Sequence, residues 1–284
     1  MEYPFGMNLD DPDWQGKTGA ECRMCASAYD NERTCPYADP PMLKVDLHAH
    51  TSEDPIDRIP YDARTLIERA AILGYSALAL TLHDRQLPLT ELTPFARERG
   101  VALVPGIERT IRGKHVLLLN FPQETEQVSN FDELARLRHR SNGLVVAPHP
   151  FYPHPTALGR FMERHASLFD AVEVNAFYTR RLNFNRRAVR WAREHGKPLV
   201  GNGDVHRLSQ LGRTFSLIDA EPQADAICAA IRQGRVSVHT EPLRASEAAR
   251  LFGSLVVADL SGIFDRQHAD GKPRGATTEP TAAT

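Results

Sequence analysis

Nine ionisable residues along this chain have the types and spacing of metal ligands. His48 and His50 stand two apart in Asp46-Leu47-His48-Ala49-His50, so in an extended segment both rings point to one side and can grip one ion. His83 follows the apolar run Ala77 to Leu82, Glu108 follows Val101 to Ile107, and His149 follows Leu144 to Pro148. Asp204 and His206 follow Leu199 to Gly203, His115 opens another apolar run, and Asp54 can reach back over the same mouth. Imidazole nitrogens with carboxylate oxygens, and no thiolate among them, suit Zn, Mn or Fe(II). Nine groups exceed what one four- to six-coordinate ion needs, so two or three ions are expected.

Positioning such a set requires many strand ends at one edge. Short apolar runs alternate with amphipathic segments from Leu43 onward: strands near 43–47, 76–82, 101–107, 115–121, 144–147, 171–174, 199–201, 215–218 and 236–239. Between them lie helices near 63–73, 91–99, 132–140, 156–165, 183–195 and 222–233. That rhythm predicts an α/β chain with a parallel sheet in a closed or nearly closed barrel, whose chemistry lies at the C-terminal ends of the strands.

Five segments, Asp46-Leu47-His48-Ala49-His50-Thr51, Thr81-Leu82-His83-Asp84, Pro105-Gly106-Ile107-Glu108, Ala147-Pro148-His149-Pro150 and Gly203-Asp204-Val205-His206-Arg207, occur in the order of the PHP (polymerase and histidinol phosphatase) family motifs. The resemblance covers residues 43 to about 240. It implies a distorted (β/α)7 TIM-like barrel whose two- or three-metal centre hydrolyses phosphoesters through a metal-bridging hydroxide. It also implies ligand roles for His48, His50, His83, Glu108, His149, Asp204 and His206, with Asp54 and His115 matching less tightly. Two departures stand out. Glu53-Asp54-Pro55 replaces the usual Asp-Gly pair, with Asp57 a substitute for Asp54, and Leu82 replaces an Asp in the second motif.

No serine or cysteine nucleophile is needed for that chemistry, since bound ions supply nucleophile and electrophile together. His149 and Asp204 are the expected catalytic groups, with His149 or a metal-bound water protonating the leaving group. Arg180 and Arg207 are the expected substrate-binding groups, because a guanidinium fork matches phosphate geometry. Glu173 is read as an outer partner of the ligands and Asn175 as facing the site. The expected substrate is a small phosphorylated metabolite or nucleotide. An exonuclease acting on short oligonucleotides is the first alternative, and an amidohydrolase-like C–N hydrolase or a regulatory module on a decayed barrel ranks below it.

Composition bounds the rest. The 284 residues are 42% hydrophobic and 25% charged, with a formal net charge of −2, the make-up of a globular protein without a bulk basic field for long nucleic acid or an anionic membrane. Nor is a basic, aromatic-interleaved groove for a strand expected, which favours small substrates. No secretory leader or spanning helix is read, so a cytoplasmic protein is expected. Residues 1–42 read as an irregular extension, 43–266 as the barrel and 267–284 as a disordered tail. Cys22, Cys25 and Cys35 in the extension offer a possible Zn or Fe-S site that lacks a fourth ligand, whereas Cys228 reads as core.

Overall fold

The computed structural model describes residues 42–250. The N-terminal cysteines Cys22, Cys25 and Cys35, the extension up to residue 41 and the tail from 267 lie outside the described residues. Nine strands form one sheet: β1 (Leu43–Asp46), β2 (Ala77–Leu80), β3 (Ala102–Ile111), β4 (Lys114–Leu119), β5 (Leu144–Ala147), β6 (Ala171–Asn175), β7 (Leu199–Asn202), β8 (Thr214–Ile218) and β9 (Val236–Thr240). Their order is β7-β6-β5-β4-β3-β2-β1-β8-β9. The far ends of that order approach each other, since Gly201 N donates to Ser216 Oγ at 3.0 Å and Ala49 pairs with Val205 just beyond β1 and β7. The sheet is therefore a nearly closed barrel.

Six helices alternate with the strands: α1 (Ala63–Ile72), α2 (Leu92–Arg97), α3 (Phe131–Arg138), α4 (Phe161–Arg164), α5 (Asn185–Glu194) and α6 (Ala224–Arg232). Helix α1 shows why. Asp62 caps it by accepting from Thr65 N at 2.8 Å, and Ala63, Leu66, Ile67 and Ala70 recur on one buried stripe. Strands β2 and β5 are buried along their whole length, as their uninterrupted apolar sequences ALAL and LVVA require.

Two expectations need correction. The sheet is mixed, not parallel throughout: β1–β2–β3 and β5–β6–β7 are parallel, whereas β3–β4, β4–β5, β1–β8 and β8–β9 are antiparallel. The cause at β3–β4 is local. Only Arg112 and Gly113 join these strands, both at positive φ (51° and 72°), and a two-residue turn of that kind makes a hairpin, never a parallel crossover. The helix expected over 156–165 shrinks to Phe161–Arg164, because Pro153, Pro155 and the left-handed Gly159 (φ 52°) hold the preceding stretch in turns.

Of the described residues, 42–243 belong to one compact unit, and Arg244 begins a second in which residues 245–250 are helical. Within the first, one apolar cluster joins Val45, Ala79, Val104, Leu117, Val146 and Val200 to Ile227 and Ile231 of α6, and Cys228 is part of it. Burial pushes the Cys228 thiol up to about 12, so it behaves as a small core side chain. No helix among the described residues is long and apolar enough to cross a membrane.

Candidate metal centre

The C-terminal ends of β1, β2, β5 and β7 and the start of the antiparallel β4 converge on Glu108, which is 1% exposed and lies within β3 instead of following it, because the strand runs on to Ile111. Its Oε2 lies 3.2 Å from His48 Nε2, 3.3 Å from His50 Nε2 and 3.2 Å from His83 Nε2. Its Oε1 lies 2.7 Å from His115 Nδ1 and 3.2 Å from His149 Nε2. Asp204 Oδ1 stands 3.4 Å and 3.5 Å from the same nitrogens of His48 and His50. Donors sharing one ion at about 2.0–2.2 Å stand roughly 3.0–3.5 Å from one another. These spacings match that. His48 Nε2 and His50 Nε2 are also buried without a hydrogen-bond partner, although carboxylate oxygens lie close by. Burying an unsatisfied ring nitrogen is costly, and a cation between nitrogen and carboxylate would remove the cost.

Three sets of side chains there can each hold an ion: His48, His50 and Asp204; His83, Glu108 and His115; and His48, Glu108 and His149. A fourth set, His50, Asp54 and His83, lies on the opposite edges of the His50 and His83 rings. Asp54 Oδ2 accepts from His83 N at 2.9 Å and sits 3.0 Å from Nδ1 of both rings, while Oδ1 accepts from Ile56 N and Asp57 N at 2.8 Å and 2.9 Å. So placed, Asp54 holds both Nδ1–H groups and leaves both Nε2 atoms free to face Glu108. His206 lies apart from these sets. Its ring is 4.5 Å from that of His50, yet Nε2 meets Asp57 Oδ2 at 2.9 Å and Nδ1 meets the Asp204 carbonyl at 2.9 Å.

A second layer fixes the first. Glu173, at 0% exposure in β6, accepts from His48 Nδ1 at 2.8 Å and from Asn202 Nδ2 at 2.9 Å on one oxygen, and from Asn175 Nδ2 at 3.1 Å on the other. Asn175 Nδ2 also reaches Asp204 Oδ2 at 3.1 Å. Asp46 accepts from His48 N and Gly203 N, tying the end of β1 to the end of β7, and a Cβ at position 203 would stand 2.8 Å from its carboxylate. Asp84 pairs with Arg109 at 2.5 Å, joining the residues that directly follow His83 and Glu108. The roles of Asn202, Asp46 and the Asp84–Arg109 pair were not legible beforehand. A polar residue ending an apolar strand, as Asn202 does in β7, was the available signal.

Backbone strain gathers at the same edge. Asp84, His149 and Asp204 adopt φ of 53°, 40° and 48°, a left-handed region that costs a side-chain-bearing residue on the order of 1 kcal/mol or more. The charges explain how such a cluster persists. Burial alone would push the His48 and His50 imidazoles down, but Asp204 and Glu108 override it and hold both well above the usual value. Conversely, burial would raise Glu108 and Asp204, while the surrounding histidines keep both well below the ordinary carboxylate range. At Asp46 burial outweighs the backbone donors His48 N and Gly203 N and the His48 charge, and raises the carboxyl to about 7.

Leu82 is fully buried, so the position where the family carries an Asp is filled here by apolar packing. Arg180 and Arg207 are both exposed. His154 is exposed on its loop, His165 stacks on Phe131 with centroids 4.2 Å apart, and His239 stacks on Phe215 at 4.5 Å.

Residues 183–236 match the family described as PHP-associated. A two-domain protein of Bacteroides vulgatus, described as containing a predicted PHP-like metal-dependent phosphoesterase, is 19% identical with a TM-score of 0.56, covering 75% of this chain and 70% of that one. PsfC of Pseudomonas syringae is 18% identical with a TM-score of 0.52, over 78% of this chain and 98% of PsfC. An uncharacterized protein of Methanocaldococcus jannaschii is 27% identical over 146 residues, 48% of this chain and 84% of the relative. The structural likenesses show a shared fold.

Proposed function

We propose that this chain is a metal-dependent phosphoesterase that hydrolyses the ester of a small phosphorylated metabolite or nucleotide. The observation that carries the reading is the pair of buried, unpartnered nitrogens His48 Nε2 and His50 Nε2 facing the carboxylates of Glu108 and Asp204 at ligand spacing. His48, His50, Asp204 and Glu108 would hold one divalent ion, and His83 and His115 with Glu108 a second. Mn, Zn or Fe(II) fit this nitrogen and oxygen set. Bound there, such ions supply a nucleophile at neutral pH and absorb charge on the phosphoryl oxygens.

The chain's own residues do the remaining work. His149, whose imidazole the nearby carboxylates of Glu108, Asp204 and Glu173 hold above its usual value against the pull of burial, is the proton donor to the leaving alkoxide. Asp204 stays ionised beside it as ligand and fixed negative charge. Asp54 and Glu173 keep the Nδ1 protons of His50, His83 and His48 in place, so the Nε2 lone pairs aim inward. His206 braces Asp204 and Asp57 behind them. Arg180 and Arg207, exposed in the segments that follow β6 and β7, take the non-reacting phosphate oxygens.

The test is phosphate release by chelator-stripped protein resupplied separately with Mn, Zn and Fe(II), across sugar phosphates, mononucleotides, nucleoside bisphosphates and short oligonucleotides. Metal-restored release from one class is expected. Silence with every metal, in protein that still binds them, would overturn the reading.

A further inference from the structure

Apart from Arg180, this chemistry leaves the segment after β6 unused. From Arg180 to Glu194 the sequence holds six arginines (Arg180, Arg181, Arg186, Arg187, Arg190 and Arg193), no lysine and one carboxylate, Glu194. Arg180, Arg181, Arg186, Arg187 and Arg190 are exposed, and none of these five forms an ion pair among the described residues. Elsewhere arginines do find carboxylates, as Arg99 does with Glu68, Arg109 with Asp84 and Arg138 with Asp170. Arg186 and Arg190, one turn apart on α5, repel each other, and no carboxylate among the described residues pairs with either.

This segment is tied to the centre. Asn185, the first residue of α5, accepts from Asn175 N at 3.0 Å and donates to Asn175 O at 2.8 Å, and the Asn175 side chain reaches Asp204. Aromatic rings from a second segment interleave with it. The Arg187 guanidinium lies 4.3 Å over the Phe151 ring. The Tyr152 ring is 6.3 Å from that of His149 on one side and 5.3 Å from that of Phe184 on the other. Phe151, Tyr152 and Phe184 are each only partly buried. Phe184 lies among the arginines in sequence, whereas Phe151 and Tyr152 come from some thirty residues earlier, and the fold brings them beside the segment.

We infer that this face binds a single-stranded phosphodiester chain leading to the candidate metal centre. The choice of ligand rests on the phosphoester reading of that centre and narrows its substrate, from a small phosphorylated molecule in general to the terminal nucleotide of a short strand. Guanidinium forks suit phosphate oxygens, and part-exposed rings offer stacking surfaces to bases of any identity. An acidic peptide would use the arginines and leave the rings idle. A lipid surface would call for more exposed aliphatic area than Leu182, 52% exposed, provides in this segment.

The test is fluorescence anisotropy of full-length, metal-supplied protein with a labelled, hydrolysis-resistant phosphorothioate oligothymidylate of about ten nucleotides. Saturable binding is expected. The triple variant R186Q/R187Q/R190Q should weaken it at least about tenfold and lower the log–log salt slope by about 2. Phe184→Ala should weaken it about fivefold or more with the slope unchanged, a separation of stacking from charge that a merely misfolded variant would not give. Unchanged thermal melts confirm that both variants fold. Absence of saturable binding, wild-type affinity in both variants, or displacement by polyglutamate or phosphatidylserine vesicles as readily as by unlabelled strand would each overturn the inference. Because the probe resists cleavage, silence in the phosphate-release assay overturns the phosphoesterase reading alone, and strand binding is scored separately.

Discussion

The strand-end cluster around Glu108 holds two ring nitrogens without a hydrogen-bond partner, and the segment after β6 holds arginines without an ion pair, under opposite conditions. At the cluster, two ring nitrogens are unpartnered in a fully buried setting, where solvent cannot relieve them and an ion is the natural complement. On α5 the guanidiniums of Arg186 and Arg190 are exposed without an ion pair among the described residues, where water satisfies them at little cost. The same kind of vacancy therefore carries different weight. Buried, it compels a ligand; exposed, it permits one, and needed the aromatic rings beside it before a ligand could be named.

The sharpest break of this comparison is His50→Ala or Asp204→Ala. Each should abolish metal-restored phosphate release, read against metal content by elemental analysis, with the fold retained by circular dichroism. Full turnover in both would detach the cluster from catalysis. Metal removal comes next. Ion binding to the folded chain alone should stabilise it by about 2.7 kcal/mol at a free-ion concentration a hundred times Kd, read as a rise in melting temperature. That gain should shrink as pH falls, since protons compete with the ion for nitrogens that Asp204 and Glu108 hold protonated above their usual value in the metal-free chain.

Glu173→Gln keeps an acceptor for His48 Nδ1 but loses the charge behind it. It should lower metal affinity about 10- to 100-fold, measured by competition with a chelating dye, while Glu173→Asp recovers part of the loss. Wild-type affinity in Glu173→Gln would reduce Glu173 to packing. The smallest effect is expected at the exposed rim. Arg180→Ala should raise KM several-fold and leave kcat nearly unchanged, the mark of an interaction made equally in ground and transition states.

Much of the side-chain cluster was legible because His48, His83, His149 and Asp204 each follow an apolar run whose end the sequence marks, whereas Glu108 lies inside β3, which continues to Ile111. His206 shows the limit of that reasoning. Its spacing from Asp204 looks like a second ligand pair, but its ring turns to Asp57 and to the Asp204 carbonyl. Asp54 was expected at the mouth and is found behind two rings, because its Oδ1 is committed to the backbone of the turn at Ile56 and Asp57. The fold itself was read as a barrel, with the parallel pattern overextended. Burial reads alike in parallel and antiparallel strands when both faces are covered, and the two-residue turn at Arg112-Gly113 carried the missing information.

By itself the sequence determined the strand and helix rhythm, the five ordered motifs and a donor set without thiolate, since these depend on residue type and local spacing alone. Tertiary structure decided which nitrogen of each histidine faces inward, that Glu173, Asn175 and Asn202 stand behind His48, and that Phe151 and Arg187, thirty-six positions apart, share one face. Hydrogen bonds and ring contacts of that kind form across the barrel edge between distant strands. Only closure of the sheet brings their partners within reach.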